Sequence, residues 1–414
     1  MKKTSINQLA APEGKSSIYF LGTLSLLMAL TSLSTDIYLP AMPQMKRDLH
    51  ADVELTITGF LIGFSIAQII LGPLSDKYGR KPVLLLGILL FILGSVGCAV
   101  SGSITEIVIC RIIQALGACT GPMLSRAMVR DVYSGNKSAE MMSTLMMLMA
   151  LAPIIGPLLG GQIIRFGSWH WIFWLLTALG VIMLVLILGL KETLPPSKRL
   201  KSSPLETFKS YAYLLTHRNF MRYTLCVTFF YIGAYAFIAG SPFVYIDYFH
   251  INPQHYGWLF ALNVLGLMVV SFLNKKLVQK YSLLFLLRCS TGIAMTAGIA
   301  LAVFVRLDIG GIYSIILLVL IFFSMNGVIS ASATVAALND VPEIAGTASA
   351  LLGSLQYGSG ILSTLLLSYF NNGTPWTMSW IIAISAVSAF LMVAPFSKKM
   401  PFSQFKIKSN LKAK

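Results

Sequence analysis

Twelve runs of about 20 mostly apolar residues, parted by short polar gaps, dominate this chain, and about 20 helical residues are what a hydrocarbon core roughly 30 Å thick requires. The runs fall at 18–41, 53–74, 83–102, 105–127, 141–164, 170–190, 221–245, 255–274, 283–305, 311–335, 346–369 and 376–396. Inside a bilayer no water satisfies backbone amides and carbonyls, so each run must close its hydrogen bonds internally as a helix. Composition agrees. Charged residues make up 11 % of the chain and hydrophobic ones 56 %, whereas soluble domains carry roughly 25 % charged residues. Too few charges remain to cover a water-soluble fold, which excludes soluble enzymes and disordered chains together. The predicted fold class is an all-α membrane protein with twelve transmembrane helices.

The net charge of +16 is spread through the gaps between apolar runs rather than clustered beside ordinary globular composition, so no nucleic-acid partner is expected. Lys and Arg are strongly biased to one side. With the N-terminus placed inside, 26 of the 31 lie in inner loops, inner helix ends and tails, and only Lys46, Arg47, Arg165 and Arg306 lie outside. Cytoplasmic loops are the basic ones, so both termini are expected in the cytoplasm with the bilayer as the surrounding partner. The first apolar run is too long for the core of a signal peptide and is expected to stay as the first helix. Five cysteines (Cys98, Cys110, Cys119, Cys226, Cys289) lie in apolar stretches without metal-ligand spacing. Neither a disulfide framework, a metal site nor a cofactor follows.

The longest polar stretch, 191–220, holds Pro195, Pro196, the cluster Lys198-Arg199-Leu200-Lys201 and an amphipathic segment from Leu205 to Leu215. It separates a first six-helix unit at 18–190 from a second at 221–396, with tails at 1–17 and 397–414. A faint internal echo supports the division: Leu74-Ser-Asp-Lys-Tyr-Gly follows the second run, and Leu277-Val-Gln-Lys-Tyr-Ser follows the eighth. Duplicated halves around a central site are a transporter architecture.

Two ionisable residues interrupt the apolar runs, Asp36 and Arg111. Intramembrane charges are costly and therefore functional candidates. At 1.5 Å rise per residue each stands on the order of 30 Å from its cytoplasmic flank, which puts the two at similar depth. Desolvation favours a protonated carboxylate and a guanidinium favours an ionised one, so a mobile Arg or an arriving cation can switch proton affinity. No histidine competes for this role: His50, His250 and His255 fall in outer loops, His170 at an outer helix end and His217 in the central stretch.

Several motifs bear on function. Gly72-Pro-Leu-Ser-Asp76-Lys-Tyr-Gly79-Arg80-Lys81-Pro82, with two glycines that permit a tight turn and a crowd of charges, resembles the loop signature of the major facilitator superfamily. That resemblance implies two pseudo-symmetric six-helix bundles. It also implies a cytoplasmic cluster of Asp76, Arg80 and Lys81 with Asp131 that latches the outward-open state. Thr35-Asp36-Ile37-Tyr38-Leu39-Pro40-Ala41-Met42-Pro43 resembles the first-helix signature of the bicyclomycin-resistance (Bcr/CflA) group of drug:proton antiporters. Arg111-Ile-Ile-Gln114-Ala-Leu-Gly117 resembles a fourth-helix motif of proton-coupled members, with Ala115 where Gly is common. Proton coupling at Asp36 and Arg111 is what the resemblance implies.

Ala152-Pro153-Ile-Ile-Gly156-Pro157-Leu-Leu-Gly160-Gly161 resembles the antiporter motif of exporters and departs from it at Ala152. Its small residues permit close helix approach, and its prolines can bend the helix. Ser241-Pro242-Phe243, Asn263 and the segment 345–351 look like further members of the same pattern, while His170 stands where Arg is usual. Phe230, Tyr231, Tyr235 and Phe237, with the methionines of the fifth run, offer side chains that adapt to varied apolar or cationic ligands. Asp36, Tyr38, Gln114, Tyr231, Tyr235 and Asn263 are the expected substrate contacts. The implied activity is export of small apolar or cationic compounds against protons, by a monomer in a bacterial inner membrane. The rival is a transporter of one narrow metabolite. No cluster of nucleophile, base or metal ligands favours an enzyme.

Overall fold

The computed structural model describes residues 15–199 and 204–394. The expected C-terminal tail, most of the N-terminal one and part of the basic cluster near Leu200 lie outside the described residues. Among the described residues there is no strand, and twelve helical spans are long and apolar enough to cross a membrane. They run Ile18–Leu49, Glu54–Tyr78, Arg80–Val100, Ile104–Val132, Glu140–Phe166 and His170–Gly189 in the first half. In the second they run Arg218–Tyr248, Pro253–Leu277, Leu283–Arg306, Gly311–Asn339, Pro342–Tyr369 and Trp376–Val393. The number of spans is the one read from hydropathy.

Span ends differ from the apolar runs in instructive ways. Regular helix begins at Lys15, within the stretch assigned to the N-terminal tail. The central polar stretch contains a helix of its own, Pro204–Thr216, and the seventh span starts at Arg218. The first span is helical to Asp36, turns through Leu39–Ala41, and resumes as helix Met42–Leu49. Pro40 and Pro43 cannot donate to the carbonyls four residues back, which is why the helix cannot run straight through. The seventh span likewise does not stop at Ser241-Pro242-Phe243 but continues as a π segment, Phe243–Tyr248.

At two prolines that free a carbonyl, a neighbour supplies the missing donor. Pro122 leaves the Ala118 carbonyl unpaired, and the fourth span breaks at Cys119 between helices Ile104–Ala118 and Thr120–Val132. The Thr31 hydroxyl of the first span donates to that carbonyl at 2.8 Å. Pro73 leaves the Ile69 carbonyl of the second span unpaired, and Tyr211 of the linker helix donates to it at 3.2 Å. In lipid, such borrowed donors are what make helix breakers tolerable. The fifth span breaks at Ala150–Leu151 just before Pro153, and the tenth at Met325 between Gly311–Ser324 and Asn326–Asn339. Breaks in the fourth and tenth spans, and irregular ends in the first and seventh, occupy equivalent places in the two halves. This repeat of shape is clearer than the repeat of sequence.

In the first half the third span packs against the fourth and sixth; in the second half the twelfth packs against the seventh and ninth. The halves meet along two seams, the second span against the eleventh and the fifth against the eighth. We call the membrane face where the first span begins and the twelfth ends the terminal face, and the opposite one the far face.

Candidate transport site

The break in the first span is seated on the fifth. Gly160 lies so close that a Cβ there would overlap the Ile37 carbonyl oxygen, and a Cβ on Gly156 would stand 3.3 Å from the Asp36 Cβ. The small residues of the motif therefore make room for the turn that carries Asp36. Gly161 faces the other way, toward the Pro253 carbonyl of the eighth span, so the same motif also forms part of a seam between halves. Pro157 is buried in the helix Ala152–Phe166 that presents them.

Asp36 is 7 % exposed, and its carboxylate accepts one hydrogen bond from Thr35 Oγ1 at 3.1 Å. No salt bridge reaches it among the described residues. Its charge is felt by Tyr235 of the seventh span, Tyr256 of the eighth and Tyr357 of the eleventh, so it confronts an aromatic wall of the second half. Tyr231 and Tyr235 have ring centroids 6.1 Å apart, Tyr235 and Tyr357 6.5 Å, and Phe64 closes the row 4.3 Å from Tyr357.

Arg111 is 1 % exposed and forms no salt bridge among the described residues. Its Nη1 donates to the Ser34 carbonyl at 3.0 Å and to Gln114 Oε1 at 2.6 Å, while Gln114 Nε2 donates to Ser95 Oγ at 2.7 Å. The guanidinium lies 4.4 Å from the centroid of Tyr38 and 4.5 Å from that of Phe60, and its Nε has no hydrogen-bond partner. Cation–π contact replaces an anion as the counterweight to this buried charge. Arg111 thus binds the backbone two residues before Asp36 without pairing with the carboxylate itself.

Three expected substrate contacts are sited differently from the reading of the sequence. Tyr38 and Gln114 are both fully buried and hold Arg111, because each is drawn to the guanidinium, one by its ring and one by its amide oxygen. Asn263 is buried too, its Nδ2 donating to the Leu259 carbonyl one turn back at 2.9 Å. Tyr231 and Tyr235 remain beside the aromatic wall. Sequence reasoning overlooked Tyr357, although Gln356-Tyr357-Gly358-Ser359 is a polar interruption of the eleventh span. It also counted Arg126 as a flanking charge, whereas that residue lies within the fourth span, exposed, with its charge felt by Tyr357.

At the terminal face the signature loop folds differently from the expected two-glycine turn. Gly72 lies inside the helix Glu54–Tyr78, and only Gly79, at φ 108°, makes the turn. That backbone conformation is one L side chains rarely adopt. Arg80 Nη1 donates to Asp76, its Nε to Asp131 Oδ2 at 3.0 Å, and Thr193 Oγ1 to the same Asp131 oxygen at 3.2 Å. Glu192, not anticipated, accepts from the backbone amides of Arg80 at 3.0 Å and Lys81 at 3.2 Å. Lys81 Nζ donates to the carbonyls of Leu188 and Leu190, closing the end of the sixth span. The cluster ties together the second, third, fourth and sixth spans of one half.

Two six-helix halves meeting at narrow seams, with an unpaired acid buried between them, define a multi-pass membrane transporter rather than an enzyme. Residues 24–364 match the Major Facilitator Superfamily, and the chain belongs to that family. It is 36 % identical over 399 residues to an uncharacterized transporter of this type, YdgK, from Bacillus subtilis, covering 94 % of this chain and 98 % of the relative. A bicyclomycin resistance protein homolog of Haemophilus influenzae is 28 % identical over 92 % of this chain and 97 % of its own. Multidrug resistance protein D of Escherichia coli is 26 % identical over 83 % and 86 %. The resemblance to the bicyclomycin-resistance group is thereby borne out. Among solved structures, the nucleoside transporter NupG superposes with a TM-score of 0.74 at 15 % identity, over 91 % of this chain and 100 % of that one. The xylose transporter XylE of Escherichia coli gives 0.70 at 14 %, over 90 % and 96 %. At such identities these two likenesses concern the fold alone.

Proposed function

We propose that this transporter exports small apolar or cationic compounds from a bacterial cytoplasm in exchange for protons, by alternating access of the units 18–190 and 221–396 acting as a monomer. The observation that carries the reading is Asp36: a buried carboxylate with no cation partner, at a break in the first span, facing the tyrosines of the second half. An unpaired carboxylate out of water binds either a proton or a cation, and not both. Cargo and proton therefore compete for one site, which is the requirement for exchange. Arg111, held 3.0 Å from the Ser34 carbonyl, supplies a fixed positive field that assists release of the proton. The cluster of Asp76, Arg80 and Asp131 keeps the terminal ends of the first half together as the units rock.

The test is substrate-driven proton movement in proteoliposomes, with a susceptibility panel in a host lacking its own pumps. Asp36→Asn is expected to abolish the proton flux and the resistance and to leave any remaining cargo binding independent of pH. Asp131→Asn, which breaks the cluster and not the site, is expected to slow turnover and keep coupling. Undiminished proton flux in Asp36→Asn would refute the reading.

A further inference from the structure

The molecule buries a second carboxylate that the exchange scheme does not use. Glu54 opens the second span at the far face, where an acid in the first helical turn ordinarily sits in water and complements the helix dipole. Here the residue is 2 % exposed. Its Oε1 accepts a long 3.5 Å hydrogen bond from Asn371 Nδ2, and its Oε2 has no partner. No salt bridge reaches it among the described residues.

The charged neighbours of Glu54 are mixed in sign. Lys46, from the end of the first span, is a compensating charge, and its Nζ lies 5.0 Å over the Phe243 ring. Asp52 of the connecting loop and Asp247 of the seventh span both bear on Glu54 with like charge. Arg47 is engaged with Asp247 at 3.5 Å, and His250 faces that same aspartate. Burial with no close cation penalises the ionised form of such a carboxylate.

What buries it is the meeting of the two halves. Four links cross between them at this rim: Arg47 to Asp247, Lys46 to the Phe243 ring, Ser368 Oγ to Asp52 at 2.8 Å, and Asn371 to Glu54 itself. If the halves part here, Glu54 meets water and can ionise. Any group whose proton affinity differs between two conformations biases the equilibrium between them. We infer that Glu54 is a second proton-binding site, which takes a proton from the far-face solution and must hold it for that rim to close. The step is a simple transfer: hydronium gives up its proton to the carboxylate and becomes water. That the far-face solution is the external one rests on the orientation proposed above; the gating does not depend on Asp36.

Hydrogen–deuterium exchange of the full chain in nanodiscs, with labelling times scaled for intrinsic pH effects, reads the rim directly through peptides spanning 47–58 and 366–374. The native protein is expected to exchange these segments about fivefold faster in alkaline than in acidic buffer, as local opening grows. Glu54→Gln, fixed in a neutral form, stays slow in both. Glu54→Asp keeps the response and guards against a folding defect in the glutamine variant. Asp36→Asn keeps it as well, which separates this site from the transport site. A flat native response, a full response in Glu54→Gln, or one lost in Asp247→Asn or His250→Gln instead, overturns the inference.

Discussion

Arg111 shows how much of a site a single residue can conceal. As a charge inside an apolar run it is conspicuous, and so is Asp36, because nothing in a hydrocarbon interior pays for either. The sequence does not say what answers the charge: an anion, a carbonyl or a ring. The structure supplies two carbonyl-type acceptors and two aromatic faces. Lysine cannot span that set, having neither the planar face nor the paired donors of a guanidinium. Arg111→Lys is expected to lower stability by about 2 kcal/mol, seen as a reduced unfolding temperature in detergent, and to impair coupling together with it. An unchanged unfolding temperature would show that the aromatic cage contributes nothing. Glu54 was hidden for the opposite reason. It stands at the edge of its run, where an acid looks like an ordinary helix start, and only the fold reveals that the edge is covered.

At the scale of elements, hydropathy located every span but could not foresee where helices break. Pro122 and Pro73 announce a lost donor, yet whether a helix bends, and toward what, depends on a partner far away in sequence. Thr31 and Ala118 are 87 residues apart, and Tyr211 and Ile69 are 142 apart. The break at Met325 has no proline at all, and its only hint was its counterpart in the fourth span. The borrowed bond makes a pairwise prediction. Thr31→Val strands the Ala118 carbonyl and is expected to cost about 1–2 kcal/mol. In a Pro122→Ala background, where the helix regains its own donor, the same change should cost much less. Equal losses of unfolding temperature in both backgrounds would show that the hydroxyl does not stand in for the amide. The motif of the fifth span was legible as close packing, but not that Gly156 and Gly160 serve the first span while Gly161 serves the eighth.

For the whole molecule, the bias of Lys and Arg read from the sequence remains the argument for orientation. Reporter fusions after residues of the Pro204–Thr216 helix and of the loop between the first and second spans are expected to report cytoplasm and exterior respectively; the reverse pattern would invert the transport direction proposed above. The seam between the second and eleventh spans carries a consequence for motion. Its contacts are hydroxyls and glycines, Thr58 with Thr364 at 2.6 Å, Ser354 with the Ser65 carbonyl at 3.0 Å, and Gly360 against Leu61 and Tyr235. Phe64 against Tyr357 and Gln68 beside Gly353 interrupt this surface, but its hydroxyl bonds are short enough to re-form after a small displacement. If the halves rock as proposed, such a joint would let one body roll upon the other without lifting away.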